Sequence, residues 1–138
     1  MACAPFESLR PMLEQWLASH CENHSCECSD SDYHFWIFQR GKLGRGMMEL
    51  INHPDLSQGK DVFAISILPP IAPLASRDEA ISLLSFAEWL NGICVVVKDF
   101  GDGGSVAFQI KCPISEVTTE KITALWDRLC DACTQLQL

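Results

Sequence analysis

Apolar residues recur every three or four positions in three parts of the chain, and this spacing predicts three helices. The secure part of the first is Pro11 to Ser19, because Pro11 either begins that helix or marks a bend after an earlier turn. The second begins at the N-cap Ser76 and ends at the left-handed stop that Asn91 and Gly92 supply. Thr118 or Thr119 can cap the third. Its predicted buried stripe consists of Ile122, Leu125, Trp126, Leu129, Cys133 and Leu136.

Shorter runs rich in β-branched and aromatic residues predict strands between these helices. They are Tyr33 to Arg40, Met47 to Asn52, Asp61 to Leu68, Cys94 to Lys98 and Ser105 to Cys112. The last run alternates strictly, which predicts one face on the core and another, with Ala107 and Gln109, in water. The whole pattern predicts one α+β domain over residues 1–138, with an antiparallel sheet of about five strands and three helices in the order α-β-β-β-α-β-β-α.

The predicted middle helix is apolar over more than one face, whereas a surface helix normally keeps one face polar. It is therefore expected to be covered on both sides within the domain, or to be shared with a second copy of the chain. On the second alternative, a homodimer interface is predicted at Ile81, Phe86, Trp89 and Ile93. On the first, Phe86 and Trp89 cover the sheet of a monomer.

Composition narrows the classes of partner. Apolar residues make up 48% of the 138 residues and charged residues 20%, which is typical of a globular protein. The net charge of −8 disfavours nucleic acid and anionic membrane surfaces, since both are bound through clustered Lys and Arg. The sequence contains neither an apolar run long enough to span a bilayer nor a recognisable signal peptide, so a cytoplasmic protein is expected. The eight cysteines are then expected to be reduced thiols.

Metal-capable side chains cluster in one polar stretch that is predicted to be a loop, His20 to Asp32. Its candidate ligands, with one residue just beyond it, are Cys21, His24, Cys26, Cys28 and His34. Thiolate and imidazole are good zinc ligands, but a zinc knuckle has a gap of two to four residues twice, and this stretch does not. Loop cysteines without a ligand, a metal site and a redox-responsive site therefore all remain open for the stretch from Cys21 to His34.

Three short motifs imitate catalytic signatures without their context. Gly41 to Gly46 lacks the Gly-Lys-Ser/Thr step of a phosphate loop and is predicted to be a hairpin turn. Asp99 to Gly101 spells a kinase metal motif, but it lies in a glycine-rich turn between two predicted strands. Cys130 and Cys133 form a Cys-x-x-Cys pair late in a helix, away from any helix N-terminus that would lower a thiol pKa. No catalytic residue, cofactor site or enzymatic activity is predicted.

In its length, acidity and element order the chain resembles, over nearly its whole length, the type III secretion chaperone-like superfamily, which includes the YbjN-type family of bacterial sensory transduction regulators. The resemblance lies in the helix end Leu83 to Asn91, the strand Val106 to Ile110, and the link Cys112 to Ile114 before Val117 to Ile122. The YbjN-type family similarly closes its middle helix on a Leu-Asn step. The resemblance implies a non-enzymatic protein, often a homodimer, that holds an extended segment of another polypeptide at its sheet edge and apolar patches.

The expected function is therefore that of a protein-binding adaptor or chaperone-like protein whose partner is another polypeptide or a second copy of itself. The alternative is a metal-binding or redox-responsive protein that uses the stretch from Cys21 to His34.

Overall fold

The computed structural model describes residues 3–30, 33–41, 44–52, 61–69, 78, 92–98 and 105–135; for residues 3–7 it describes the backbone alone. In chain order these form helix α1 (Cys3–His20) and strands β1 (Asn23–Ser29), β2 (Tyr33–Gln39), β3 (Arg45–Ile51), β4 (Val62–Ile67), β5 (Cys94–Lys98) and β6 (Ser105–Pro113). A 3-10 turn (Ile114–Glu116) and helix α2 (Thr119–Gln135) follow.

The six strands form one antiparallel sheet in the order β1-β2-β3-β4-β6-β5. The α+β character agrees with the sequence pattern, but the predicted count of about five strands and three helices is wrong. In the described part of the chain there are six strands, two helices and a 3-10 turn. The helix predicted from Ser76 lies outside the described residues except for Asp78.

The extra strand is β1, which occupies the stretch predicted to be a loop. Six of its seven residues are exposed, so it has no hydrophobic alternation by which a sequence could reveal it. Backbone pairing with β2 forms it, and the amide of Asp30 closes the connecting turn by donating to the carbonyl of Tyr33 at 2.9 Å.

Helix α1 also differs from its prediction, because it continues through Pro11 to begin at Cys3. Proline in a helix interior removes one hydrogen bond and crowds the preceding turn. Apolar residues on both sides of Pro11, however, pack on the core: Leu9 lies before it and Leu13 and Leu17 after it. Tertiary packing therefore outweighs the local cost of the proline.

Both helices lie on one face of the sheet, here called the helix face. Its core joins Trp16 of α1 and Trp126 of α2 to Trp36, Phe38 and Phe63 of the sheet. The indole nitrogen of Trp16 donates to the hydroxyl of Thr123 at 3.0 Å and so connects the two helices. The helix face accordingly contains most of the described hydrophobic core.

Glycines at the turn between β2 and β3 explain the motif that imitates a phosphate loop. Gly41 has a φ of +74°, which non-glycine residues rarely adopt. A Cβ at Gly46 would lie 2.4 Å from Phe38 and 2.7 Å from the ring of Trp126. One glycine thus serves the turn, and another, Gly46 in β3, leaves room for a tryptophan of α2. β2 and β3 pair antiparallel, as the predicted hairpin requires, but Arg45 and Gly46 belong to β3 and not to the turn.

Helix α2 begins as predicted. The hydroxyl of Thr118 accepts from the amide of Lys121 at 3.1 Å, so of the two candidate threonines it is Thr118 that caps the helix. The predicted stripe from Ile122 to Cys133 is buried, while Leu136 lies outside the described residues.

The sheet surface opposite the helices, here called the second face, departs from the prediction for β6. Ala107 is fully buried and Gln109 is 2% exposed, although their alternate positions predicted contact with water. Met47 and Ala107 form a small apolar cluster there, with Phe35, Ile37, Leu68 and Val96 packed around it. Strict alternation in a strand therefore does not mark a solvated face in this sheet.

Candidate protein-binding site

The two ends of the sheet differ in how they expose their backbone. An edge strand presents a row of N–H and C=O groups that can pair with another chain, unless bulges or charges obstruct it. Among the described residues, β1 pairs only with β2, and β5 pairs only with β6. Each edge is therefore a candidate place for a partner strand.

The β1 edge carries the obstructions that natural sheets use. A β-bulge between Cys26 and Cys28 makes Glu27 an extra residue and interrupts the register with β2. The Glu27 carboxylate is exposed and accepts from the hydroxyl of Ser25 at 2.9 Å. A bulged, charged and polar edge is a poor template for strand addition.

The β5 edge has the opposite character. Its five residues pair with β6 in continuous register, and three consecutive valines occupy its centre. Val97 is 72% exposed and is the large hydrophobic residue that stands out as exposed in the described part of the chain. A regular apolar edge with an exposed β-branched side chain is suited to pairing with an extended segment.

A polar cluster lies on the second face and draws its members from β2 to β5. Glu49 of β3 is 2% exposed, and its carboxylate accepts from the hydroxyl of Tyr33 at 2.7 Å and from the Nε2 atom of Gln109 at 3.3 Å. The Nζ atom of Lys98 lies 2.9 Å from Oε1 and 3.1 Å from Oε2 of the same carboxylate. Gln109 also donates to the hydroxyl of Ser66 at 3.0 Å. We call these five residues the Glu49 cluster.

Electrostatics within the Glu49 cluster assign its protons. Burial, together with the neighbouring Glu49 carboxylate, raises the pKa of Tyr33 well above its usual range. The phenol therefore stays protonated and donates to Glu49. With Lys98 and Gln109 also donating, the carboxylate has three hydrogen-bonding partners, as a buried charge requires.

Sequence reasoning did not identify the Glu49 cluster, although a signal for it exists. Glu49 and Ser66 are polar residues inside otherwise apolar strands, and Gln109 was interpreted as facing water. Cross-strand pairing of Ser66 with Gln109 depends on the order of β4 and β6, which the sequence pattern does not determine.

The structure does not bring the five metal-capable residues of the cysteine-rich stretch together. Cys21 ends α1 and packs against the core, where burial raises the pKa of its thiol to about 11. The bulge places Cys26 opposite Trp36 and Cys28 opposite Phe35, two residues on opposite faces of the sheet. In the described residues, no three Cys, His, Asp or Glu side chains form a group that could hold a metal ion.

The Cys-x-x-Cys pair of α2 lies where thiols act as apolar side chains. Burial raises the pKa of Cys133 to about 12 and, with the nearby carboxylate of Asp127, also raises the pKa of Cys130. Raised thiol pKa values disfavour the thiolate that redox exchange requires.

Of the residues predicted to form a dimer interface, Ile81, Phe86 and Trp89 lie outside the described residues. Ile93 is 9% exposed and belongs to the main core cluster. The homodimer interface stays a prediction.

Comparison with known proteins adds no relationship, because no family model matches the chain and no curated protein matches it. In the part of the chain that the structure describes, neither helix is both long and apolar enough to span a membrane.

Proposed function

We propose that this protein is a non-enzymatic adaptor that holds an extended segment of a partner polypeptide by adding it as a strand to the β5 edge. The observation that carries the proposal is Val97, an exposed valine on an apolar strand that, among the described residues, pairs on one side only. Because the β1 edge is bulged and charged, the partner strand is placed at β5 and not at β1.

The chemistry of the β5 edge defines the partner. Val95 and Val97 lie on the helix face of β5, so a partner strand would place apolar residues beside them at alternate positions. The net charge of −8 favours a partner segment of positive charge, because complementary charge speeds encounter. The proposed ligand is therefore an extended, basic segment with apolar residues at every second position.

The short length of the β5 edge favours an extended segment as the partner over a second copy of the chain. The edge offers five residues, whereas a standard stable interface uses about 20 to 30 residues on each side. A homodimer would need further surface, such as the predicted patch at Ile81, Phe86 and Trp89. The proposed compartment is the cytoplasm, since the seven described cysteines are free thiols, which suit a reducing environment.

A displayed library of random 12-residue peptides tests the proposal. Peptides selected on the wild-type protein are expected to be apolar at alternate positions and to lose at least about tenfold in affinity for Val97→Lys, equivalent to about 1.4 kcal/mol. Ser25→Lys on β1 is the matched control and should bind them unchanged, since both positions are exposed on edge strands.

Backbone methylation of the selected peptide separates strand addition from simple apolar contact. N-methyl groups at the alternate residues that donate to β5 remove those hydrogen bonds and should abolish binding, while methylation of the intervening residues should preserve it. Selected peptides that bind Val97→Lys as tightly as wild type, or that tolerate methylation at every position, would overturn the proposal.

A further inference from the structure

The ion pair between Lys98 and Glu49 joins two strands that are far apart in the sheet. Glu49 pairs with Ala64, which pairs with Lys111 of β6, whereas Lys98 pairs with Ser105 of β6. The two rows are six residues apart along β6, which is about 20 Å in an extended strand. β3 and β5 are also three strand steps apart, which adds about 14 Å across the sheet.

In a flat sheet the two residues would thus be separated by about 24 Å, far beyond the reach of a lysine and a glutamate. Their charged groups nevertheless lie 2.9 Å apart. Both residues occupy the second face, as the pairing register requires. Twist and curvature of the sheet must therefore carry the end of the β5–β6 hairpin at Lys98 and Ser105 over the second face and bring Lys98 above Glu49.

The exposure of Val97 has a separate cause, which is its position in the edge strand. Val95 and Val97 share the helix face, yet Val95 packs against the core whereas Val97 is 72% exposed. Val106, which pairs with Val97 and shares the helix face, also packs against the core, so Val97 is exposed because it lies one strand further out, on the edge.

We infer that the Glu49–Lys98 ion pair is a latch that holds the hairpin end in this curled shape and so presents the β5 edge to a partner strand. The effect of the latch on partner binding rests on the proposed function, whereas the position of the hairpin end over Glu49 does not. Three features suit the pair to the role: the Glu49 carboxylate is nearly inaccessible, its other donors come from β2 and β6, and the Lys98 side chain is only 26% exposed.

The latch predicts a local effect of breaking the ion pair. Lys98→Met keeps most of the aliphatic stem but removes the ammonium, so the hairpin end is released without a change at the edge residue Val97. Amide hydrogen exchange of the free protein, followed by mass spectrometry, is expected to accelerate at least about tenfold in β5 and the adjoining part of β6. Glu49→Gln should accelerate exchange in the same segment.

Two further variants control the measurement. Lys111→Met removes an exposed lysine from the same face of β6 and should leave exchange in the hairpin unchanged. Lys98→Arg keeps the positive charge and should retain most of the protection. A circular dichroism spectrum and a thermal transition establish that each variant is folded.

The outcomes separate the latch from the proposed function. Unchanged hairpin exchange in both Lys98→Met and Glu49→Gln would overturn the latch, whatever the peptides do. Faster exchange in both, with at least about tenfold weaker binding of a selected peptide, would support the latch and its consequence. Faster exchange with unchanged peptide affinity would overturn the inferred link between the latch and the β5 edge. If both variants exchange faster but the library yields no peptide that binds the wild-type protein, the latch is supported and the adaptor function is contradicted.

Discussion

Removing either partner of the Glu49–Lys98 pair should lower the free energy of unfolding by an amount that depends on how deeply each charge is buried and on which hydrogen bonds remain. Breaking a fully buried ion pair costs about 3 to 5 kcal/mol, because the remaining charge stays buried without compensation. Here Glu49 is buried, but Lys98 keeps 26% of its side chain in water, and Tyr33 and Gln109 continue to donate to the carboxylate. Lys98→Met is therefore expected to cost about 2 to 3 kcal/mol.

Glu49→Gln should cost less, about 1 to 2 kcal/mol, since the amide oxygen can still accept one hydrogen bond and Lys98 can turn towards solvent. In the double variant no charge is left unpaired, so its cost should fall below the sum of the two single costs by about 1 to 2 kcal/mol.

Urea unfolding monitored by tryptophan fluorescence measures the four proteins of this cycle. Tyr33→Phe provides a milder comparison, because it removes one hydrogen bond to the same carboxylate and should cost about 1 kcal/mol. A coupling free energy within about 0.3 kcal/mol of zero, the range of independent sites, would refute the reasoning from the ion pair.

Three other perturbations test separate parts of the fold. Gly46→Ala should destabilise by about 1 to 3 kcal/mol in urea unfolding, because the added methyl group overlaps Trp126; wild-type stability would refute that packing. Thr118→Ala should cost about 1 kcal/mol by removing the N-cap of α2, whereas Thr118→Ser should largely restore it. Burial raises the pKa of the Cys21 thiol to about 11, so below pH 9 it should react with iodoacetamide much more slowly than exposed Cys26. The difference in rate should narrow as the pH approaches 11. Equal rates at pH 8, measured by peptide mass spectrometry, would contradict the burial of Cys21.

The sequence revealed the elements that are marked by their own apolar residues, although it did not reveal which faces of them are buried. Three elements were predicted from their own residues: β5, β6 and the capped helix α2. β6 is one residue longer than predicted, because it ends at Pro113 and not at Cys112. β1 was missed because an edge strand exposed on both faces carries no hydrophobic period. Pro11 misled the prediction of α1 because local cost was weighed without the packing on both sides of it.

The candidate site depends on long-range geometry that the pattern does not contain. Glu49 and Lys98 are 49 positions apart in the chain and meet only because the sheet order and the bend of the hairpin bring them together. The exposure of Val97 likewise follows from where β5 lies in the sheet, since a run of three valines by itself suggests a buried strand. The cysteine-rich stretch gave the more conspicuous sequence signal, yet its side chains lie apart.

Amide exchange at single-residue resolution, measured by NMR with and without a selected peptide, tests strand addition most directly. If the peptide adds as a strand, its binding slows exchange at alternate amides of β5, those directed away from β6, while the amides of β1 keep their free-protein rates. Slowed exchange along β1 or in the helices, with β5 unchanged, would contradict strand addition at β5.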